Sequence, residues 1–247
     1  MLPSSLERFS DRLRGEWLPI FCDDEKRRLS PEGFKLDSIG VTEFDASNFM
    51  KALDSGLVID TGGGRYRCAR SYAFEQIFWP GRKSVEPQPL TLWIEPVITI
   101  GTMARLGLEY GWPTDLLCMQ SKDGAFDFAV FRTASNENEF IAGEVKKTSK
   151  ELGKLTRDLF KFAQNGTIER PSGTGSTVNS FKKWLALLRC RAPFFWAVGP
   201  DNYTQLFAVQ YNANQTATFT EIELDQLRAP EDIEPCTTSK PNESTGI

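Results

Sequence analysis

Apolar residues recur every three to four positions in some stretches of the chain and every two in others, and the switches between these periods divide it into elements. Leu6 to Trp17 reads as a short helix. Ala46 to Ser55 is a second, with Phe49, Met50 and Leu53 on one face, Asp45 as N-cap and Gly56 as its stop. Leu57 to Ala69 alternates around Gly62-Gly63-Gly64, the pattern of a β-hairpin with a glycine turn. Ile94 to Trp112 predicts a helix running into a turn and the strand Leu116 to Gln120. Two apolar strands follow, Gly124 to Phe131 and Phe140 to Lys147, the second leading into a helix capped by Thr148 or Ser149 with Glu151 behind it. Lys150 to Gln164 carries Leu152, Leu155, Leu159, Phe160 and Phe162 at helical spacings, and Thr177 to Cys190 carries Val178, Phe181, Leu185 and Leu188. Phe194 to Gly199 and Gln205 to Tyr211 are strands, with a further one over Ala217 to Leu224.

This order predicts an α/β (α+β) chain in three parts. Residues 1–88 form a small N-terminal α+β region, with a boundary in the polar, proline-rich Gly81 to Pro89. A helix followed by a basic hairpin there resembles a winged helix-turn-helix; a cap packed on the core is the favoured alternative. Residues 89–227 form the core. From Arg228 to Ile247 the composition is Pro, Ser, Thr, Glu and Asn, which predicts a disordered tail.

Composition narrows the chemistry. The chain has 247 residues and no histidine, which removes Ser-His-Asp and Cys-His nucleophile systems and His-ligated zinc or iron. Its five cysteines are widely spaced, without a Cys-x-x-Cys, so neither a zinc site nor a disulfide framework is expected. No apolar run reaches membrane-spanning length and the N-terminus lacks signal-peptide order, so a cytoplasmic location is expected. The net charge of −4 argues against a general nucleic-acid coat protein, but the positive charge is clustered. Lys146, Lys147, Lys150, Lys154, Arg157 and Lys161 follow one another, and Lys182, Lys183, Arg189 and Arg191 lie on the next helix. Between them, Arg170 to Thr177 resembles part of a phosphate-binding loop without its Gly-Lys-Ser/Thr ending, and reads as a loop near substrate.

The strands at 124–131 and 140–147 carry the candidate chemistry. Each holds acidic residues where a buried strand should hold none, and buried charge costs several kcal/mol unless it is paired or binds a cation. Side chains alternate faces along a strand, so Glu144 and Lys146 share one face while Ile141, Gly143 and Val145 take the other. If the two strands pair as a hairpin, Asp127 comes beside Glu144. Two carboxylates and an ammonium then converge, which suits a hard divalent cation and an activated water. A lone Glu-Val-Lys also occurs on solvated strand faces; Asp127 upstream and the helix start downstream are what set this copy apart.

Asp127, Glu144 and Lys146, with 144 − 127 = 17 residues between the acids, resemble the PD-(D/E)xK nuclease superfamily over about residues 90 to 212. The match departs at Phe126, where the family often has proline. The resemblance implies a restriction-endonuclease-like mixed sheet flanked by helices, in the order helix, three-strand meander, helix, further strand. It also implies a helix-borne acid: Glu95 lies 127 − 95 = 32 residues before the aspartate, and Glu109 is its rival. By the same resemblance Asp127, Glu144, the carbonyl of Val145 and Glu95 would hold Mg²⁺, with Mn²⁺ able to substitute, and Lys146 would orient the water or stabilise charge on the phosphate. Lys147, Lys150, Lys154 and Arg157 would contact nucleic acid. The implied activity is metal-dependent phosphodiester hydrolysis, endonuclease before exonuclease and DNA before RNA, in restriction, defence or mobile-element processing. The alternative is an inactive nuclease-like fold that binds nucleic acid or protein within a larger complex. A homodimer and a partner protein both stay open.

Overall fold

A computed structural model of the chain describes residues 2–23, 29–35, 40–135, 137–172 and 175–233. The N-terminal helix is longer than its pattern suggests: α1 (Ser5–Arg12) continues through a π-helical segment, Leu13–Trp17, into α2 (Leu18–Cys22). Ser4 opens it with a capping box to Glu7. In α3 (Glu43–Asp54) the cap is Thr42, whose hydroxyl accepts from the N–H of Asp45. Asp45 itself sits one turn inside the helix, so its expected role as N-cap is corrected. The Thr42 cap starts the helix three residues earlier than the apolar pattern does.

Three short strands follow, β1 (Ile59–Asp60), β2 (Arg65–Arg67) and β3 (Glu75–Gln76), as an antiparallel sheet in that order. Next, β4 (Phe78–Pro80) pairs with β5 (Leu90–Leu92), Trp79 opposite Thr91. The polar stretch 81–89 is therefore the loop of this hairpin rather than a linker. Buried residues from Phe9, Trp17 and Phe49 through to Val130, Trp196 and Leu206 belong to one continuous apolar cluster, so the N-terminal elements share the core of the chain.

After α4 (Ile94–Ala104) comes a meander of β6 (Leu117–Met119), β7 (Phe128–Phe131) and β8 (Glu139–Val145), then α5 (Ser149–Asn165) and α6 (Ser176–Cys190). The chain returns through β9 (Phe194–Val198), β10 (Thr204–Tyr211) and β11 (Ala217–Ile222). These make a six-stranded mixed sheet in the order β11-β10-β9-β8-β7-β6. Every neighbour is antiparallel except β8 and β9, which α5 and α6 connect as a crossover. The protein is thus a mixed α/β fold with both faces of its main sheet covered.

Alternation sorts the sheet residues. Phe128, Val130, Ile141, Val145, Trp196 and Val198 pack towards the N-terminal helices and α4. Ala142, Phe195, Ala197 and Phe207 pack towards Leu152, Leu155 and Leu159 of α5 and Phe181, Trp184 and Leu187 of α6. Gly143 pairs with Phe128, and a Cβ on it would lie 2.0 Å from Phe128 Cζ, so only glycine lets that ring cross the strand. The end of the chain is partly ordered: the Ala229 N–H donates to Tyr110 O (2.8 Å), Arg132 pairs with Asp232 (3.2 Å), and Ile233 packs on the core. The expected disorder from 228 is corrected for residues 228–233; the rest of the tail lies outside the described residues. Among the described residues, no helix is long and apolar enough to cross a membrane.

Candidate active site

The pairing of Phe128 with Gly143 brings Asp127 opposite Glu144 at the end of β8, on the face covered by α5 and α6. The backbone there is tightly held. The Val145 N–H donates to Asp127 Oδ2 (2.8 Å), and the Lys146 N–H donates to Val198 O (2.9 Å), prolonging the β8–β9 pairing by one residue. Gln120 ends β6 in the left-handed conformation (φ 52°), uncommon outside glycine, and its N–H donates to Asp127 O (2.8 Å). The hairpin 121–126 is closed by Ser121, whose hydroxyl accepts from the Phe126 N–H (2.8 Å).

Lys146 turns back over this strand end. Its ammonium donates to Glu144 Oε1 (2.8 Å) and to the carbonyl of Val145 (2.6 Å), and lies 3.9 Å from Glu95 Oε1 at the start of α4. Glu95 is therefore the helix-borne acid that reaches the site. Its rival Glu109 lies beyond the other end of α4, paired with Arg105 at 3.3 Å.

Two groups that the sequence did not single out complete the cluster. Lys183 of α6 places its Nζ 2.7 Å from Glu144 Oε2, with the ring of Phe126 beneath it at 5.9 Å. Phe126, the departure from the family pattern, is thus a buried platform beside the site. Glu144 Oε2 is buried, and the Lys183 ammonium is the cation that meets it. Glu75 of β3 is also buried and accepts from the amide of Gln120 (2.7 Å). Burial, with the charges of Asp127, Glu95 and Glu144 adding to it, pushes its carboxyl up to about 8 against the Gln120 hydrogen bond.

Burial and then the charge of Glu144 push Asp127 up to about 7, with Lys183 and Lys146 pulling the other way. Burial opposes the charge on Lys146, yet Glu144, Asp127 and Glu95 outweigh it and hold its pKa above the ordinary lysine value. Among the described residues, no three acidic or cysteine side chains are drawn together closely enough to hold a metal ion. What converges is a mixed set, with carboxylate and carbonyl oxygens from three of the four expected ligands around one ammonium. Those hard oxygens are the donor type a divalent cation takes, although in this structure the Lys146 and Lys183 ammonium groups occupy both oxygens of Glu144.

The site opens into a cleft of about 890 Å³ between β8, α5 and α6. Glu95, Glu144 and Lys146 line its floor, and Lys147, Lys154, Lys182, Lys183 and Arg189 its walls. Lys154 is held by Asp158 (2.7 Å) and Thr177 (3.0 Å). Two expected nucleic-acid contacts fall elsewhere: Lys150 and Arg157 are exposed on α5 but do not line the cleft. Lys182, Lys183 and Arg189 of α6 supply cleft-lining cations instead. Of the loop at 170–177, Ser176 lines the cleft, and residues 173–174 lie outside the described residues.

The Asp127 shift predicts an effect on stability. An acid whose folded pKa (about 7) exceeds its unfolded value (about 4) destabilises the fold increasingly as pH rises between the two, and fully above the higher. Asp127→Asn, whose amide oxygen can still accept from Val145, is expected to raise the melting temperature in EDTA by about 3 °C or more at pH 8. One pKa unit corresponds to about 1.4 kcal/mol, and each kcal/mol to about 2–4 °C at this chain length. By pH 5.5 the gain should fall to about half. Calorimetry at the two pH values checks this, and a gain that grew on acidification would contradict it.

No protein-family model, curated protein or solved structure matches the chain. A functional reading therefore rests on the geometry and its chemistry.

Proposed function

We propose that this protein is a metal-dependent phosphodiesterase that cleaves nucleic acid with a PD-(D/E)xK-like site on a restriction-endonuclease-like sheet. The observation that carries the reading is the meeting of Glu144, Lys146 and Glu95 at the floor of a cleft walled by lysine and arginine, with Asp127 beside Glu144 behind that floor. Phosphodiester backbones demand such walls, since affinity for them comes from cationic side chains that displace counterions. Asp127, Glu144, the Val145 carbonyl and Glu95 would hold Mg²⁺ or Mn²⁺. A bound ion supplies charge neutralisation at the phosphate and a more acidic water.

The chain's own residues do the rest. Lys182, Lys183 and Arg189 face the backbone from α6, with Lys147 and Lys154 opposite on the α5 side. Lys146, whose polar partners among the described residues are oxygens of Glu144, Glu95 and Val145, is placed to donate to a phosphate oxygen as charge builds there. DNA is the first substrate to test, and a cytoplasmic role in restriction, defence or mobile-element processing accords with such an activity.

One observation favours a second reading, a binding module without activity: lysines engage both oxygens of Glu144. Incubating the protein with plasmid, linear duplex, single strands and RNA, each with Mg²⁺, Mn²⁺ or EDTA, separates the two. Cleavage that needs the metal is expected. Glu95→Gln should lose most of it, whereas Glu109→Gln, at the far end of α4, should cut like wild type. Binding without cutting under every condition would leave the module.

A further inference from the structure

The chain has six tryptophans. Trp17, Trp112, Trp184 and Trp196 are buried, whereas Trp79 is 59% exposed and Trp93 39%. These two exposed indoles touch each other, edge to face, with ring centroids 5.3 Å apart and planes at 68°. Single exposed apolar side chains need no explanation, but two adjacent rings of the largest apolar type forgo substantial burial energy.

Their backbone is rigid and close to the candidate site. Trp79 lies within β4, and Trp93 directly follows β5, with its N–H donating to Ile77 O (2.7 Å). Trp93 is also the N-cap residue of α4, two residues before Glu95, so their Cα atoms are at most about 7.6 Å apart. The Glu95 carboxylate lies 3.9 Å from the Lys146 ammonium. The same hairpin exposes Arg82 and Lys83 in its loop, against one acid, Glu86. On the neighbouring small sheet Arg65 and Arg67 are exposed, and the Arg65 guanidinium lies 5.9 Å from the exposed ring of Phe74.

Cations interleaved with exposed rings are what a single-stranded nucleic acid requires: charge for the backbone and a flat face for each base. In a duplex the base faces are already covered by their neighbours. We infer that the Trp79–Trp93 pair is a stacking platform for an unpaired base, and that the strand entering the cleft beside Glu95 is single-stranded or locally opened. The inference rests on the proposed reading of the cleft and narrows its substrate class.

Because the other four tryptophans are buried, a base that stacks at the surface quenches the emission of this pair, and the buried four supply a background that Trp79→Phe/Trp93→Phe measures. The full chain in EDTA would be titrated with oligothymidylate, oligouridylate, an abasic strand of equal length and a duplex, with affinity followed separately by anisotropy. Quenching by the two base-bearing single strands is expected, and none by the abasic strand or the duplex. Trp79→Ala/Trp93→Ala should raise the single-strand Kd about 10-fold or more while leaving duplex binding within about 2-fold. Trp79→Phe/Trp93→Phe, which keeps the ring faces, should stay within about 3-fold of wild type, separating lost stacking from damaged folding. Single strands that bind without quenching, or Ala variants that lose duplex and single-strand affinity equally, would overturn the platform. Metal-dependent duplex cleavage that is unchanged in the Ala variants and faster than single-strand cleavage would overturn it too, while leaving the nuclease reading intact. If no nucleic acid binds at all, both fall together. Oligothymidylate against oligouridylate distinguishes DNA from RNA as the source of the base.

Discussion

Glu144→Gln is expected to abolish metal-dependent cleavage, by about 10³-fold or more, and at the same time to lower the stability of the metal-free protein. The loss of activity follows from removing the most enclosed anionic oxygen donor of the site. The loss of stability follows from where the lysines are. Glu144 is nearly buried and meets Lys146 through one oxygen and Lys183 through the other, at 2.8 and 2.7 Å. A neutral amide removes the carboxylate that both ammonium groups meet at short distance, leaving Lys146 with Glu95 at 3.9 Å and both lysines with Asp127 as the remaining counter-charge. Removing one partner of a buried pair costs about 3–5 kcal/mol, and the partial exposure of the lysines reduces this to about 2–3 kcal/mol. That corresponds to a fall of about 4–12 °C in melting temperature. The opposite signs expected for Glu144→Gln and Asp127→Asn distinguish a carboxylate held by cations from one held against burial and its neighbour's charge. Adding Lys183→Gln to Glu144→Gln should return part of the lost stability, because the uncompensated cation goes with it. A Glu144→Gln protein as stable as wild type would mean that the lysines find other partners, and the ion-pair account of the site would fail.

These contrasts also mark how much of the site was legible in the sequence. The alternation from Phe140 to Lys146 places Glu144 and Lys146 on one face of a strand, and Ile141, Gly143 and Val145 on the other; Ile141 and Val145 do pack in one cluster and Ala142 in the other. The hairpin brought Asp127 opposite Glu144 because β7 and β8 are consecutive and antiparallel. Such pairings are local and periodic. Glu75 was not legible, since β3 is two residues long and shows no period; its partner Gln120 lies 45 residues away and meets it through a left-handed backbone turn. Lys183 read equally well as part of a solvated helix face. The signal that would have found it is the stripe Ser176, Asn179, Ser180 and Lys183, with polar side chains three to four positions apart on a helix whose other face is apolar; all four line the cleft. The N-terminal region was legible in its helices and its hairpin, and its packing on the core was the favoured of two readings; that it shares one continuous apolar cluster with the main sheet was not legible. Whether Phe9 and Trp17 pack on their own region or on the rest of the chain depends on contacts between residues distant in sequence, which no local pattern encodes.

Lys146→Ala is expected to abolish cleavage while leaving affinity for nucleic acid within a few fold. Among the described residues its ammonium is engaged by the oxygens of Glu144, Val145 and Glu95, and a group that acts mainly as charge develops affects rate rather than binding. The α6 wall should behave in the opposite way. Lys182 and Arg189 are exposed, line the cleft and lie away from the acids, so Lys182→Ala/Arg189→Ala ought to weaken binding and flatten its salt dependence. Each lost phosphate contact should lower the slope of log K against log salt by about 0.9 on duplex DNA or 0.7 on single strands. Arg157→Ala, exposed on α5 outside the cleft, should change neither rate nor slope. Lys154→Ala should fall between, because that ammonium is already engaged by Asp158 and Thr177. Salt titrations of binding beside single-turnover cleavage rates would order the variants. If Lys146→Ala lost affinity and salt dependence to the same extent as the α6 pair, Lys146 would be a phosphate anchor like the others, and the acids around it would be left without the cation that the reaction needs at the phosphate.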